Sequence, residues 1–296
     1  MHKYLRAIGF SDYIHHKDIS NLLNLVHEKP DNIETTDVLD STFITMEKDF
    51  GEHFGIGIFG EYDNTDRFQI EYYYPYYKSS IVSSKAPCSI LRHSDRYAFS
   101  AICEEFRLGI SMIFYLQNIN GYLDCVTDQI TLNHELPICL NAMTTDATIL
   151  LPILKTAADR KRALVSNQKR MDLIESAKNG DEEAIESLAL YDIGQYSQAS
   201  LRILKEDLYS IIDTCFMPAG VECDHYAIIG DILECEQLTN SFTNEKLYRF
   251  LIECNDIQIN LIMNQIDLIG EPAVGRRFKG DIWLQGRIQF PEKQAV

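Results

Sequence analysis

From about Leu154 this chain changes character, and that change limits what it can fold into. Before that point, and again after Pro218, the sequence reads as short β-type segments separated by turn residues. In between, Ala, Leu, Lys, Arg and Glu dominate and glycine is scarce, a composition that favours helix. The fold class read from this pattern is α+β.

At 296 residues the chain is long enough for two domains. The expected division is an α+β domain over 1–150, a helical spacer over 151–211 and a small OB-like β-barrel over 212–296. In the first region Ile19, Leu22, Leu23 and Val26 predict a helix capped by Asp18 and stopped before Pro30. Ser41–Lys48, Gly55–Glu61 and Arg67–Tyr77 read as strands of an antiparallel sheet. Phe106, Leu108, Ile110, Met112, Phe114 and Leu116 alternate strictly, which predicts one long strand over Glu104–Gln117. Asn120-Gly121 then reads as the turn of a hairpin into Tyr122–Val126. In the spacer a helix runs to Lys178 and stops at Asn179-Gly180. Asp181 caps a second helix, and a third is expected over Gly194–Lys205. Beyond Pro218 the strands Tyr226–Cys235, Lys246–Cys254, Ile257–Met263 and a final one over 276–290 suggest the OB-type barrel.

The formal charge of −17 argues against nucleic acid, whose binding rests on clustered Lys and Arg. It is unevenly spread. Residues 1–150 hold 11 Lys/Arg against 21 Asp/Glu, 151–211 hold 9 against 10, and 212–296 hold 7 against 13. No apolar run approaches the ~18 residues that would span a bilayer. The first residues lack the apolar core of a signal peptide, so a cytoplasmic protein without membrane association is expected. Eight Cys with no Cys-x-x-Cys spacing fit free, mostly buried thiols.

Several motifs invite a functional reading. Gly55-Ile-Gly57-Ile-Phe-Gly60 has the spacing of a dinucleotide fingerprint, but it lies within a strand and runs into a turn, where the fingerprint must open a helix. Glycines at a bend or close approach in a sheet are the better reading. Cys215, Cys223, His225 and Cys235 lack the paired spacing of a zinc site, so no metal and no cofactor is assigned. Tyr72, Tyr74 and Tyr76 share one face of a strand and form a candidate aromatic surface, with core packing as the alternative. The candidate ligand-binding group is Glu271, Arg276, Arg277, Lys279 and Arg287, with Asp281 nearby. It is a knot of cations in an acidic chain that could hold a carboxylate or phosphate. No nucleophile elbow or triad can be assembled, and catalytic residues are not assigned.

Leu5-Arg-Ala-Ile-Gly-Phe-Ser11, Glu71-Tyr-Tyr-Tyr-Pro-Tyr-Tyr77, Phe106-Arg-Leu-Gly-Ile-Ser111, Gly180-Asp-Glu-Glu-Ala-Ile-Glu186 and Gly275-Arg-Arg-Phe-Lys-Gly-Asp-Ile-Trp-Leu-Gln-Gly286 together resemble a family of cytosolic proteins from anaerobic Gram-positive bacteria. It is a domain family of unknown function, and the resemblance extends over nearly the whole chain. It implies no activity or site residue. The leading expectation is a non-catalytic binding or interaction protein that uses the C-terminal barrel, with a protein or a small anionic ligand as partner. The alternative is an enzyme acting on a small anionic substrate in a cleft between domains. Single-stranded nucleic-acid binding through the barrel is the weaker third.

Overall fold

The computed structural model describes residues 2–38, 41–63, 65–93, 98–105, 107, 108, 110–132, 135–153 and 157–291. The fold is α+β. A 3-10 helix over Lys3–Ile8 ends at Gly9, which adopts the left-handed conformation at φ 89° and donates its N–H to the Arg6 carbonyl. Helix α1 (His16–Glu28) follows, starting two residues before the expected Asp18 and burying Ile19, Leu22 and Val26. Asp18 falls in its first turn, where a carboxylate meets the positive end of the helix.

Four strands then form an antiparallel meander, β1 (Asn32–Val38), β2 (Ser41–Gly51), β3 (Phe54–Tyr62) and β4 (Phe68–Tyr77). The glycine triplet lies inside β3. A Cβ on Gly55 would sit 2.0 Å from the Lys48 carbonyl oxygen, one on Gly57 2.5 Å from the Tyr74 ring, and one on Gly60 2.0 Å from the Gln69 carbonyl oxygen. These glycines exist because neighbouring strands approach too closely for a side chain.

The second sheet begins with β5 (Ser84–Ala86), β6 (Cys88–Arg92), β7 (Phe99–Glu105) and β8 (Ile110–Leu116). The single long strand expected over Glu104–Gln117 is therefore a hairpin, with β7 and β8 antiparallel and residues 107 and 108 in its turn. Phe106 lies outside the described residues. Nor does Asn120-Gly121 turn a hairpin, since both belong to helix α2 (Ile119–Thr127). Asn118 ends β8 by pairing both halves of its amide with the Ile288 backbone, at 2.8 and 3.2 Å. Ile119 and Leu123, one turn apart, then bury into the core, and that packing overrides the local turn preference.

The chain continues through β9 (Leu136–Thr144) and β10 (Ala147–Leu150) into the helices, while residues 154–156, Leu154 among them, lie outside the described set. Helix α3 (Ala157–Lys178) ends at Gly180, left-handed at φ 86°. Asp181 caps α4 (Glu182–Ile203) by accepting from the backbone of Glu183 and Ala184. In place of a third helix from Gly194, α4 runs through that glycine unbroken, and only the short α5 (Leu208–Ile211) follows.

The return to strand gives β11 (Cys215–Pro218), β12 (His225–Thr239), β13 (Lys246–Cys254), β14 (Ile257–Asn264), β15 (Leu268–Ile269) and β16 (Arg277–Ile288). The strand order is β11-β12-β13-β14-β9-β16-β8-β7-β6, and β16 pairs in addition with β12. Pairing therefore passes from β12 through β13, β14, β9 and β16 back to β12. Every step is antiparallel except β14 with β9. Four of these strands come from the C-terminal region and β9 from residues 136–144.

Alternation along these strands creates two cores. One holds Leu140, Ala142, Phe250, Ile252, Leu261 and Leu284. The opposite face contributes Met143, Leu247, Ile262 and Trp283 to the other, against Ile56, Ile58, Tyr74 and Tyr76 of the meander and Leu22 and Val26 of α1. The meander thus lies as a second layer on the outside of the larger sheet. Between the layers, Gln117 donates to Gln285 (2.6 Å) and to the Tyr77 carbonyl (2.9 Å), while Gln285 donates to the Pro75 carbonyl (2.9 Å). This buried amide relay fixes the end of β4 over β16.

Candidate functional site

Strand β16 carries most of the cations singled out from the sequence, and the structure separates them. Arg277 is buried at 4% exposure, and its guanidinium donates to three backbone carbonyls: Leu151 (3.0 Å), Ile212 (2.6 Å) and Tyr209 (2.6 Å). Leu151 precedes the helical segment and the other two close it, so Arg277 ties both ends of that segment to β16. Arg276 points elsewhere. It donates to the Glu271 carbonyl at 2.5 Å, and its contact with the Glu271 carboxylate is 4.0 Å in a setting open to water. Lys279 lies 4.9 Å from the centre of the Tyr209 ring, and its hydrogen bond to Tyr209 keeps the ammonium pKa raised. Glu271, Arg276, Arg277 and Lys279 do not converge on one ligand position. Arg287 stands at the other end of the strand.

The tyrosine block is not an aromatic surface. Tyr74 and Tyr76 are exposed at only 2% and 1%, and Tyr72 is stacked 5.1 Å from Phe59. Their hydroxyls face carboxylates: Tyr76 donates to Asp49 at 2.7 Å and Tyr74 to Glu47 at 3.4 Å. Burial and those carboxylates push both phenol pKa values well up.

Between the layers, at the Arg287 end of β16, lies a cavity of about 420 Å³. Its walls come from four places: Glu52 and His53 in the β2–β3 turn, Tyr77 to Ile81 following β4, Glu236 and Leu238 on β12, and Arg249 with Arg287. His53 takes a left-handed backbone at φ 65°, and its carbonyl accepts the Lys78 N–H at 2.8 Å, which holds the turn against the strand end.

The cavity's cations are not equivalent. Each guanidinium nitrogen of Arg249 has a partner, with Nε donating to the Tyr77 hydroxyl (3.0 Å), Nη1 to Glu236 (3.1 Å) and Nη2 to Glu234 (2.9 Å). Burial works against its charge, but Tyr77 and the two glutamates outweigh it and the pKa stays raised. Burial likewise raises the Tyr77 phenol, with Arg249 pulling the other way. Lys78 pairs with the buried Glu47 and lies 4.5 Å from the Tyr76 ring centre. Arg287 is half-buried and has neither an ion pair nor a side-chain hydrogen bond among the described residues. Ser79 and Ser80 add two hydroxyls to the same wall. A planar guanidinium with open donors beside hydroxyls can grip a carboxylate or phosphate in two-pronged fashion.

Residues 5–286 match the model of a domain of unknown function described after an E. rectale gene, DUF3881. The chain belongs to DUF3881. No curated protein and no solved structure matches it. Membership in DUF3881 brings no reaction or ligand, so the cavity has to be read from its own chemistry.

Of the residues that line it, the sequence singled out Arg287 alone. Arg249 sits in an apolar strand, Lys-Leu-Tyr-Arg-Phe-Leu-Ile-Glu-Cys, as a charge where alternation calls for an outward side chain, and that was its one visible signal. Lys78 directly follows the tyrosine block, and His53 and Ser79 belong to turns whose distant partners the sequence does not reveal. Among the described residues no group of three or more His, Cys, Asp or Glu, Cys223 and His225 included, is placed to hold a metal ion. His225 instead makes a 2.9 Å contact from Nδ1 to Asp224, which also accepts from Trp283 Nε1 at 2.8 Å. Among the described residues no helix is long and apolar enough to cross a membrane.

Proposed function

We propose that this protein binds a small anionic ligand, a carboxylate or a phosphate, in the cavity between the meander and the larger sheet, with Arg287 as the anchoring cation. The observation that carries this is Arg287 itself: a half-buried guanidinium with open donors in a 420 Å³ cavity, in a chain whose formal charge is −17. In a strongly acidic protein an exposed cation is readily neutralised by carboxylate neighbours, as Arg249 is by Glu234 and Glu236. Arg287 lacks that neutralisation and can supply it to a ligand.

The ring of pairing from β12 back to β12 supports a five-stranded barrel of OB-like type, with β9 as the strand contributed from outside the C-terminal region. In this reading the ligand sits on the barrel's outer wall, covered by the meander. A cytoplasmic location is supported by eight free thiols, of which only Cys223 is exposed.

Thermal-shift titration with inorganic phosphate, citrate and a nucleoside monophosphate tests the binding reading. At a ligand concentration of about one hundred times Kd the folded state gains about 2.7 kcal/mol, which raises the melting temperature by several degrees. Arg287→Gln should erase that gain and leave the ligand-free melting temperature unchanged. A wild-type response that persists in Arg287→Gln would place the anion elsewhere.

A further inference from the structure

The helical hairpin presents more apolar surface than one chain covers. Helix α3 finds its main packing partner in α4, and α4 in α3 and the short α5. Ala184, buried at 3%, and Tyr191, which shares a 2.6 Å hydrogen bond with Ser166 of α3, mark the side of α4 turned inward. Turned about 130° from that side, at 100° per residue, run Leu190, Ile193, Leu201 and Leu204, all within a sector of about 80°. They are exposed at 64%, 62%, 66% and 80%. A helix apolar on two sides is one that is meant to be covered on both.

The stripe is symmetric about Ser197. Leu190 and Leu204 lie seven positions either side of it, and Ile193 and Leu201 four positions either side. Two copies of α4 crossing antiparallel at Ser197 would therefore set Leu190 of each against Leu204 of the other, and Ile193 against Leu201. Such self-complementarity is what a two-fold interface requires. Charge agrees with it. Residues 193–204 contain no Asp or Glu at all. In an acidic chain this is a surface where two copies can meet without carboxylate repulsion. The Ser197 hydroxyl is satisfied within its own helix by the Ile193 carbonyl at 2.8 Å, so a dry contact leaves it with a partner.

We infer that the protein self-associates through α4, the two helical hairpins forming a four-helix assembly about the Ser197 crossing. Sedimentation velocity on the full chain, from low micromolar to the highest soluble concentration, should show a species of twice the chain mass. Ile193→Glu combined with Leu201→Glu should give a monomer with unchanged helix content. Ile193→Ala with Leu201→Ala keeps helix propensity and should weaken the dimer by at least about tenfold. A wild-type monomer at every concentration, or a dimer indifferent to both the Ile193 and Leu201 changes, would overturn the inference.

Discussion

Arg277 and Arg287 stand at opposite ends of β16, ten residues and roughly 30 Å apart, and they illustrate two uses of the same side chain. At the first end the guanidinium is buried and each of its three nitrogens donates to a backbone carbonyl, holding the two ends of a long insertion together. At the second it faces a cavity with its donors open. Residue type and strand are identical, so the surroundings decide the role. What surrounds Arg277 is a pair of chain segments whose carbonyls need donors. What surrounds Arg287 is space between two layers, bounded by hydroxyls, by cations already engaged, and by Glu236 and Glu52, which lie against Arg249 and His53.

The largest effect is expected at Arg277. Truncation to Ala would leave three carbonyls without their charged donor and unfasten the base of the helical segment. The expected loss is about 3–4 kcal/mol in chemical denaturation. Arg277→Lys should recover only part of it, because one ammonium cannot match a planar fork. A loss under about 1 kcal/mol would show that the carbonyls find other partners and that this end is as free as the other.

The middle of the strand sharpens the picture through pH. Trp283 stacks against Tyr4 at 5.2 Å and against His2 at 4.6 Å, and burial lowers the His2 pKa from 6.5 to about 4, with the N-terminal charge adding to the effect. The unfolded chain therefore takes up a proton at His2 that the folded chain refuses. Stability is flat above pH 6.5 and falls as the pH drops from 6.5 toward 4, by up to about 3 kcal/mol from this one group. Asp224 works in the same direction. Burial opposes its charge, but the hydrogen bonds from His225 and Trp283 win and hold its pKa down. In His2→Gln the slope between pH 6.5 and pH 4 should be shallower than in wild type. An unchanged slope would mean that His2 is hydrated and undocks from Trp283.

Arg276 gives the smallest effect. It is open to water beside Glu271, so Arg276→Ala should change stability by less than about 0.5 kcal/mol. A larger loss would make the loop around it part of the Arg277 clamp.

How far all this could be read in the sequence depended on the range of the interactions involved. Strands β13 and β14 match their expected bounds to within a residue, since turn residues bracket their apolar runs. The caps at Gly180 and Asp181 were legible for the same local reason. Helix α4 was not cut at Gly194, because one glycine costs a helix only about 1 kcal/mol. The hairpin of β7 and β8 was hidden by an alternation of apolar residues that carries on across the turn into β8. Least legible was β9, whose pairing of Asn141 with Asn260 in parallel spans more than a hundred residues. Without that pairing neither the ring of strands nor the layer beneath the meander can be drawn. The cations illustrate the same limit: composition could gather five charged residues into one group, but only the fold could show Arg277 buried under carbonyls and Arg287 facing a cavity whose other cations are paired.

The most direct measurement is a pair of calorimetric titrations with the anion that gives the largest thermal shift, on Arg287→Gln and on Arg276→Gln. Each removes one positive charge from β16 or its lead-in, so any difference between them is one of place. Arg276→Gln is expected to bind as wild type does, while Arg287→Gln weakens binding by at least about tenfold, a cost of about 1.4 kcal/mol. Equal weakening in both would mean that the anion senses only the general charge of the strand, and the cavity assignment would be wrong.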